Sequence, residues 1–118
     1  MILVDTSVWI EHLRRGEARL TSLLQETRVA MHPFVLGELA CGNLANRAEL
    51  LSLFEALPRV ERASHAEALA FLHDHRLHGT GIGWMDVHLL ASARLSGVRF
   101  WTNDRSLAQA ATRLGLAP

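Results

Sequence analysis

The sequence contains no lysine, because all twelve of its basic residues are arginine. This absence excludes several reaction classes in their standard form. P-loop NTPases and protein kinases need a lysine on the nucleotide phosphates. Schiff-base and pyridoxal chemistry need a lysine amine. The chain therefore lacks the lysine that these nucleotide-dependent enzymes and lysine-based covalent catalysts use in their standard form.

Cysteine and long apolar runs are also scarce. Cys41 is the single cysteine, which excludes an intrachain disulfide, a Cys-x-x-Cys redox pair and a cysteine-rich zinc site. One thiol without a disulfide fits a reducing compartment. The N-terminus has no basic region and its apolar run is too short for a signal peptide, and no stretch approaches the roughly 20 apolar residues of a membrane span. We expect a soluble cytoplasmic protein with no membrane association.

The composition is that of one globular domain. The chain has 118 residues, of which 49% are hydrophobic and 20% are charged. This length suits a single domain over residues 1–118 and is too short for two ordinary ones. Twelve acidic residues balance the twelve arginines, so the formal net charge is zero.

The hydrophobic pattern predicts strands that alternate with helices. Strands are expected at 2–4, 28–31 and 98–102, with a further short one at 59–61. Helices are expected at 7–15, from Leu20 to near Thr27, from Pro33 to Gly42, at 47–57, after the capping box that begins at Ser64, at 84–96 and at 105–114. This alternation predicts an α/β fold, a three-layer α/β/α sandwich around a small, mostly parallel sheet.

Two aspartates come just after the ends of predicted strands. Asp5 comes after the apolar run Ile2–Val4, and Asp104 follows the strand at 98–102. Ligands bind at the carboxyl ends of strands in open α/β sheets, so both positions are candidates for a site. Each aspartate also precedes a predicted helix, and an N-cap role is the structural alternative. Thr102 and Asn103 offer further oxygen ligands or water contacts, or are simple turn residues.

Two further carboxylates are predicted on helices. Glu38 shares a helical face with Phe34 and Val35, which predicts an inward position where an ionised carboxylate is costly unless it is paired or binds a metal. A buried pair with an arginine is the alternative. Asp86 heads the apolar stripe of the helix at 84–96. Its alternative role is a favourable charge in the first helical turn.

If Asp5, Glu38, Asp86 and Asp104 converge, their mutual repulsion has to be relieved. Mg²⁺ and Mn²⁺ do this, because these hard cations take oxygen ligands. A carboxylate-bound divalent cation suits phosphodiester hydrolysis, since it polarises the phosphate and activates water.

Four segments resemble those of the PIN-domain ribonucleases, and within that family the VapC-type toxins of bacterial type II toxin–antitoxin pairs. The resemblance covers essentially the whole chain, in the right order and at plausible spacing. The segments are Val4-Asp5-Thr6-Ser7-Val8-Trp9, Leu36-Gly37-Glu38-Leu39-Ala40, Gly83-Trp84-Met85-Asp86-Val87-His88-Leu89-Leu90-Ala91-Ser92-Ala93 and Trp101-Thr102-Asn103-Asp104.

The resemblance implies a PIN-like α/β/α fold and an endoribonuclease that depends on Mg²⁺ or Mn²⁺. The catalytic and metal-binding residues it implies are Asp5, Glu38, Asp86 and Asp104, and residues like Thr6, Ser7 and Thr102 position metal or water. It also implies a homodimer and a cognate antitoxin that wraps the toxin, blocks the site and binds promoter DNA. A closing strand at the sheet edge, frequent in this family, is expected to be very short or absent, because the sequence ends at Pro118.

The mechanism we expect places Asp5 and Asp104 on the principal metal, with Asp86 close by. Glu38 either holds a second metal or orients the attacking water. In-line attack on phosphorus would leave a 3′-hydroxyl and a 5′-phosphate.

Other features have competing interpretations. His73, His75 and His78 have a spacing that allows zinc binding, but a polar helix end is the simpler interpretation. His88 is expected to point away from Asp86 and to be structural or interfacial. Trp9 is either core or a partner contact.

Two surfaces are candidates for partner binding. Phe54 lies among leucines on a helix that is too apolar for simple surface use, and we expect it to bind the antitoxin or a second protomer. Four arginines are candidates for RNA phosphate contacts, with a plain solvated surface as the alternative. These arginines are Arg14, Arg15, Arg19 and Arg105.

Three other functions compete with this one. A non-catalytic binding module on the same fold would be expected to lack some of the four carboxylates. A DNA-directed nuclease would use the same site and cannot be separated from a ribonuclease by sequence. A phosphatase with Asp5 as nucleophile would need a second aspartate where Ser7 stands, and a lysine.

Overall fold

A three-stranded parallel sheet lies at the centre of the protein, which a computed structural model describes over residues 1–118. The strands are β1 (Ile2–Val4), β2 (Val29–Ala30) and β3 (Arg99–Trp101), and their order in the sheet is β2-β1-β3. In the register of the sheet, Leu3 of the middle strand pairs with Ala30 on one side and Phe100 on the other. All residues of β1 are buried, so layers of helix cover both faces, as in parallel sheets generally. This confirms the predicted α/β/α architecture around a small parallel sheet.

Seven helices connect and cover the strands, and most of their bounds lie within two residues of those predicted. They are α1 (Thr6–Arg15), α2 (Ala18–Gln25), α3 (Pro33–Cys41), α4 (Arg47–Ala56), α5 (His65–Asp74), α6 (Trp84–Ser96) and α7 (Arg105–Arg113).

The helix ends follow local chemistry. Ser64 and Glu67 form the predicted capping box at the start of α5, which satisfies two backbone donors that the first turn cannot. Pro33 occupies the first position of α3, and the His32 ring accepts a hydrogen bond from the Phe34 N–H through Nδ1 at 2.9 Å. Gly97 ends α6 in the left-handed region at φ 66°, where glycine has no side chain to strain.

The edges of the sheet are shorter than predicted. Residues 59–61 form no strand, and only a single parallel bridge joins Arg59 to Met31. The C-terminal segment adds no closing strand either, as expected. Its Leu116 carbonyl accepts one backbone hydrogen bond from the sheet, from the Phe100 N–H at 2.8 Å.

The core contains two side chains that the sequence suggested for partner binding. Phe54 and Trp9 are both buried, and their rings meet edge to face at a centroid distance of 5.2 Å. The expectation that Phe54 binds a partner is therefore wrong, because Phe54 anchors α4 to α1. Trp9 takes its core alternative.

The histidines near the end of α5 are not arranged as a metal site. The helix ends at Asp74, and Arg76 has a positive φ of 51°, so the helical spacing that would bring His75 and His78 together is lost. The structure instead shows a polar helix end, which was the simpler of the two predicted interpretations. No helix combines the length and apolar character that a membrane crossing requires.

His32 makes the stability of the fold depend on pH. The ring is fully buried, and burial together with the charges of His88, Arg62 and Arg59 lowers the pKa of His32 from 6.5 to about 4. The unfolded chain therefore binds the proton more readily than the native protein between these two values. The contribution of neutral His32 is fully present above pH 6.5 and is lost as pH falls toward 4.

We expect His32→Asn to weaken this acid sensitivity, since asparagine can still cap α3 but does not titrate. Between pH 7 and pH 4.5, the native sequence should lose roughly 2 kcal/mol more of its free energy of unfolding than the variant. Urea unfolding at both pH values measures this difference, and equal losses in the two proteins would contradict the prediction.

Candidate active site

Asp5 is held in place by two hydroxyl groups at the carboxyl end of the sheet. Its Oδ2 accepts hydrogen bonds from Ser7 Oγ at 2.8 Å and from Thr102 Oγ1 at 2.7 Å. The Asp5 side chain makes no capping bond to α1, although the residue occupies the N-cap position. The N-cap alternative therefore does not explain Asp5, whose buried carboxylate is oriented toward β3 instead.

The pairing of β1 with β3 explains why these groups meet. Val4 lies opposite Trp101 in the parallel register, so Asp5 and Thr102 leave their strands at the same edge. The Asp5 N–H also donates to the Trp101 carbonyl at 2.8 Å. Residues almost a hundred positions apart are thus brought into contact by backbone pairing alone.

The predicted supporting residues divide into two groups. Ser7 Oγ lies 3.2 Å from Thr102 Oγ1 and accepts the Asn103 N–H at 3.0 Å, so Asn103 takes part through its backbone. Thr6 Oγ1 is buried without a hydrogen-bond partner and does not join this network.

Asp104 serves the helix that follows it. Its Oδ1 accepts the Leu107 N–H at 2.9 Å as the N-cap of α7, and its own N–H donates to Thr102 Oγ1 at 3.0 Å. The N-cap role, the alternative to a site role, is therefore confirmed for one oxygen of Asp104. The other oxygen accepts no hydrogen bond from the protein, and the side chain is exposed.

Asp86 is fixed in a similar way at the start of α6, where Oδ2 accepts the Gly83 N–H at 3.0 Å. Partial burial raises the pKa of Asp86, as do the charges of Asp5 and Asp104, while the Gly83 hydrogen bond opposes this rise. The charges of three acidic residues therefore act on one another at this end of the sheet. The role of Gly83 was missed from sequence, although Asp86 comes three residues after Gly83, which is the spacing from the N-cap to the acidic residue of a capping box.

Glu38 lies outside the core, so its predicted inward position is wrong. The helix α3 buries Val35 and Leu39 instead, and Glu38 is exposed. It still faces the other acids: partial desolvation of the carboxylate raises the pKa of Glu38, and so do the charges of Asp5 and Asp86.

None of the four acids is neutralised by an arginine. The salt bridges of the protein join Arg15 to Glu11 and Arg28 to Glu26, both on the surface. The alternative in which Glu38 forms a buried arginine pair is therefore not observed. The charges of Asp5 and Asp86 act on Glu38, those of Asp5 and Asp104 act on Asp86, and no arginine of the chain relieves this repulsion.

The donor set fits a hard divalent cation held by few protein ligands. Oδ1 of Asp5, Oδ1 of Asp86 and Oδ2 of Asp104 accept no hydrogen bond from the protein. No group of three acidic, histidine or cysteine side chains is close enough to surround a metal ion, so the structure has no complete protein cage. Mg²⁺ is commonly held by one or two carboxylates and keeps several waters, which such an open arrangement allows.

A groove begins beside Glu38. Its volume is about 460 Å³, and its walls come from α1, α3, α4 and the loop between α3 and α4. Ile10 and Leu13 of the wall are exposed to solvent despite being apolar. The remaining lining residues are Arg14, Glu38, Leu39, Gly42, Asn43, Leu44, Ala45 and Leu50.

Comparison with known proteins decides the family. The family model of the PIN domain matches residues 2–113. The chain belongs to the PIN domain family. The protein named Ribonuclease VapC32 from Mycobacterium tuberculosis, strains CDC 1551 / Oshkosh and ATCC 25618 / H37Rv, is 44% identical over 118 residues, which cover 99% of this chain and 95% of that protein. The resemblance to VapC-type members is thereby confirmed.

Solved structures agree on the fold of this PIN domain. FitAcB from Neisseria gonorrhoeae superposes with a TM-score of 0.66 at 22% identity, covering 95% of this chain and 94% of that one. PAE2754 from Pyrobaculum aerophilum gives a TM-score of 0.64 at 18% identity, covering 97% and 94%. At these identities the similarity concerns the fold alone.

The Thr102 hydroxyl should stabilise the PIN domain, because it donates to Asp5 and accepts from the Asp104 N–H. We expect Thr102→Val to lower the free energy of unfolding by about 1–2 kcal/mol, since the buried groups lose a partner. Thr112→Val is the matched control, because Thr112 is exposed and its hydroxyl bonds only to the preceding turn. That change should stay within about 0.5 kcal/mol; equal losses in urea unfolding would disprove the role given to Thr102.

Proposed function

We propose that this PIN domain is a metal-dependent endoribonuclease that acts as the toxin of a toxin–antitoxin pair. The observation that carries the proposal is Asp5, a buried carboxylate held by two hydroxyls beside three other acids that no arginine neutralises. Keeping these like charges close without a neutralising cation destabilises the fold, and a purely structural role would not require it. The name Ribonuclease VapC32, borne by a relative at 44% identity over nearly the whole chain, supports RNA as the substrate.

Asp5 and Asp104 would hold the principal Mg²⁺ or Mn²⁺, with Asp86 close by. When bound, the cation would polarise the scissile phosphate and stabilise the negative charge that develops on its oxygens. The hydroxyls of Ser7 and Thr102 keep Asp5 in one orientation, so its free oxygen needs little reorganisation to act.

Glu38 is the side chain suited to handle the attacking water. Its carboxylate accepts no hydrogen bond from the protein, and the raised pKa of Glu38 makes it a better proton acceptor than an ordinary glutamate. Water attacks the phosphorus in line and passes its proton to Glu38, while the bond from phosphorus to the 3′-oxygen breaks and that oxygen takes up a proton from solvent. The products are a 3′-hydroxyl and a 5′-phosphate.

Two of the four candidate arginines have a position that suits the RNA backbone. Arg14 lines the groove beside Glu38, and Arg105 directly follows Asp104 at the start of α7. The other two have neighbours within the chain: Arg15 pairs with Glu11 at 3.6 Å, and Arg19 stacks on the Trp101 ring at 4.9 Å.

The groove that begins beside Glu38 is the proposed binding site of the antitoxin. Exposed Ile10 and Leu13 offer apolar contacts, and Glu38 on the same wall offers a charge to a basic side chain. A segment bound there would cover Glu38 and so block the site. The homodimer and the cytoplasmic location expected from the sequence remain predictions.

Asp5→Asn should lower the rate of RNA cleavage in the presence of Mg²⁺ or Mn²⁺ by roughly 100-fold or more, because the neutral amide cannot replace the charged carboxylate as a metal ligand. Asp74→Asn is the control, since Asp74 is the one aspartate of the chain outside the site and is exposed. Chelation of the metal should stop the native enzyme, and added Mn²⁺ should restore it.

Cleavage that survives both Asp5→Asn and chelation would overturn the proposed mechanism. A panel of single-stranded RNA, duplex RNA and DNA of the same sequence separates the remaining alternatives. Preference for DNA would make the protein a DNA-directed nuclease, and binding without cleavage would make it a non-catalytic module.

Leu13→Glu should disrupt the complex with the antitoxin when the two proteins are produced together, because a charge would be buried in the apolar groove. Leu69→Glu is the matched control, since Leu69 is equally exposed on α5, outside the groove. Co-purification through a tag on the antitoxin measures the effect. Loss of the complex in both variants, or in neither, would place the antitoxin elsewhere.

A further inference from the structure

A second groove lies between α7 and the glycine loop, residues 79–83, that precedes α6. Its volume is about 220 Å³. Its lining contains one apolar residue and no acidic one, and we call it the polar groove. The lining residues are Thr80, Ser106, Gln109, Ala110 and Arg113. This composition differs from that of the groove beside Glu38, whose lining is mostly apolar.

The protein leaves most hydrogen-bond donors of the polar groove unused. Among the side chains of α7, only Thr112 and Arg113 form hydrogen bonds, so Ser106 and Gln109 have none. Arg113 Nη2 donates to the His75 carbonyl at 2.6 Å. A guanidinium has five N–H donors and keeps its charge, and no carboxylate pairs with this one. A hydroxyl, an amide and a cation are therefore free to donate to a ligand.

These three donors follow one side of α7. Ser106, Gln109 and Arg113 are separated by three and four residues, which places them on one helical face. They span about 10 Å at the rise of an α-helix. Arg105 lines an adjoining groove together with Gln109 and Arg113. Since α7 carries no acidic residue over 105–113, this face has a positive charge at each end of the helix.

The glycine loop connects the polar groove to the acidic site. A Cβ on Gly81 would lie 3.1 Å from Ser106 Oγ, so the loop approaches the hydroxyl closely because it has no side chain there. The Gly83 N–H, two residues further along the loop, donates to Asp86. Two residues of chain span at most about 7 Å. The end of the groove at Ser106 is therefore only two residues of backbone away from Asp104, and two from the residue that holds Asp86.

A phosphate diester is the ligand that suits this set of groups. Its charged oxygens accept hydrogen bonds and donate none, so they match free donors in a lining without a carboxylate. Arginine, serine and glutamine side chains commonly contact phosphate oxygens, and such contacts position a nucleic acid without reading its bases. A cationic ligand would find no opposite charge in the polar groove.

We propose that the polar groove binds a phosphate of the RNA backbone outside the acidic site, with Ser106, Gln109 and Arg113 as its donors. This proposal rests on the ribonuclease function proposed above and adds a second contact with the substrate. Successive phosphates of a helical strand are about 3.4 Å apart along the axis. A phosphate at Arg113 therefore lies roughly three or more nucleotides from the scissile one, and it fixes how the strand crosses the acidic site.

The first test measures the binding of a dye-labelled RNA of about 12 nucleotides by anisotropy. An Asp5→Asn background keeps the RNA intact. Gln109→Glu should weaken binding roughly tenfold, because it places a negative charge beside the bound phosphate. Gln25→Glu is the matched control, since Gln25 is an exposed glutamine at the end of α2, outside the groove, and the net charge changes equally. Equal affinities of the two variants would overturn the proposal.

Salt dependence separates a phosphate contact from a structural role of Arg113. Arg113→Gln removes one cation from the RNA, so the slope of log affinity against log salt concentration should become shallower by about 0.7. Arg94→Gln is the control, because Arg94 is also exposed and its Nη2 donates to the Leu114 carbonyl at 2.6 Å, away from both grooves on α7. If neither variant changes the slope, or if both change it equally, the contact assigned to Arg113 is wrong.

An RNA with one mapped cleavage site locates the contact. Each phosphate near that site is replaced in turn by an uncharged methylphosphonate. At one position, the replacement should weaken binding by the protein that has Arg113 and have little further effect on Arg113→Gln. If the two losses add at every position, a contact between Arg113 and a phosphate is excluded.

Three other outcomes separate the possibilities. If inorganic phosphate shifts the NMR signal of the Gln109 side-chain amide and RNA does not, the groove binds free phosphate and the proposal is overturned. If Asp5→Asn still cleaves while Gln109→Glu weakens binding, the catalytic assignment fails and the phosphate site stands. If Asp5→Asn loses activity while Gln109→Glu binds RNA unchanged, the phosphate site fails and the catalytic assignment stands.

Discussion

The parallel pairing of β1 with β3 is the constraint on which the site depends. It brings the carboxyl ends of two strands, nearly a hundred residues apart in sequence, to the same edge of the sheet. The hydroxyl of Thr102 then reaches Asp5, and the Asp104 N–H reaches Thr102. Because these bonds join groups whose backbones are already fixed by the sheet and by α7, their geometry needs no ligand to form.

The acids at this edge differ in how they are held. Asp86 and Asp104 each use one oxygen to cap a helix, so a structural bond orients the carboxylate and leaves its second oxygen free. Glu38 has no such bond and stands on an exposed face of α3. The rigid groups are suited to holding a cation in place, and the freer Glu38 is suited to a proton transfer during which its surroundings change.

Local signals in the sequence account for what could be predicted. The helix α6 has its predicted bounds because Gly83 and Gly97 mark both ends, and Asp5 and Asp104 could be placed because they follow apolar strands. The inward position of Glu38 was wrong because α3 is apolar on almost every side, so its pattern does not reveal which face is buried. The contact of Phe54 with Trp9 joins distant segments, and no local pattern encodes it.

The zero net charge of the chain conceals an uneven distribution. The four acids of the proposed site have no arginine partner, which leaves twelve arginines against the other eight acidic residues elsewhere. An RNA backbone would be repelled by the bare acids and attracted by the rest of the surface. In the proposed mechanism, a divalent cation would remove this repulsion where the scissile phosphate binds. Metal binding and substrate binding should therefore favour each other, since each supplies the charge that the other requires.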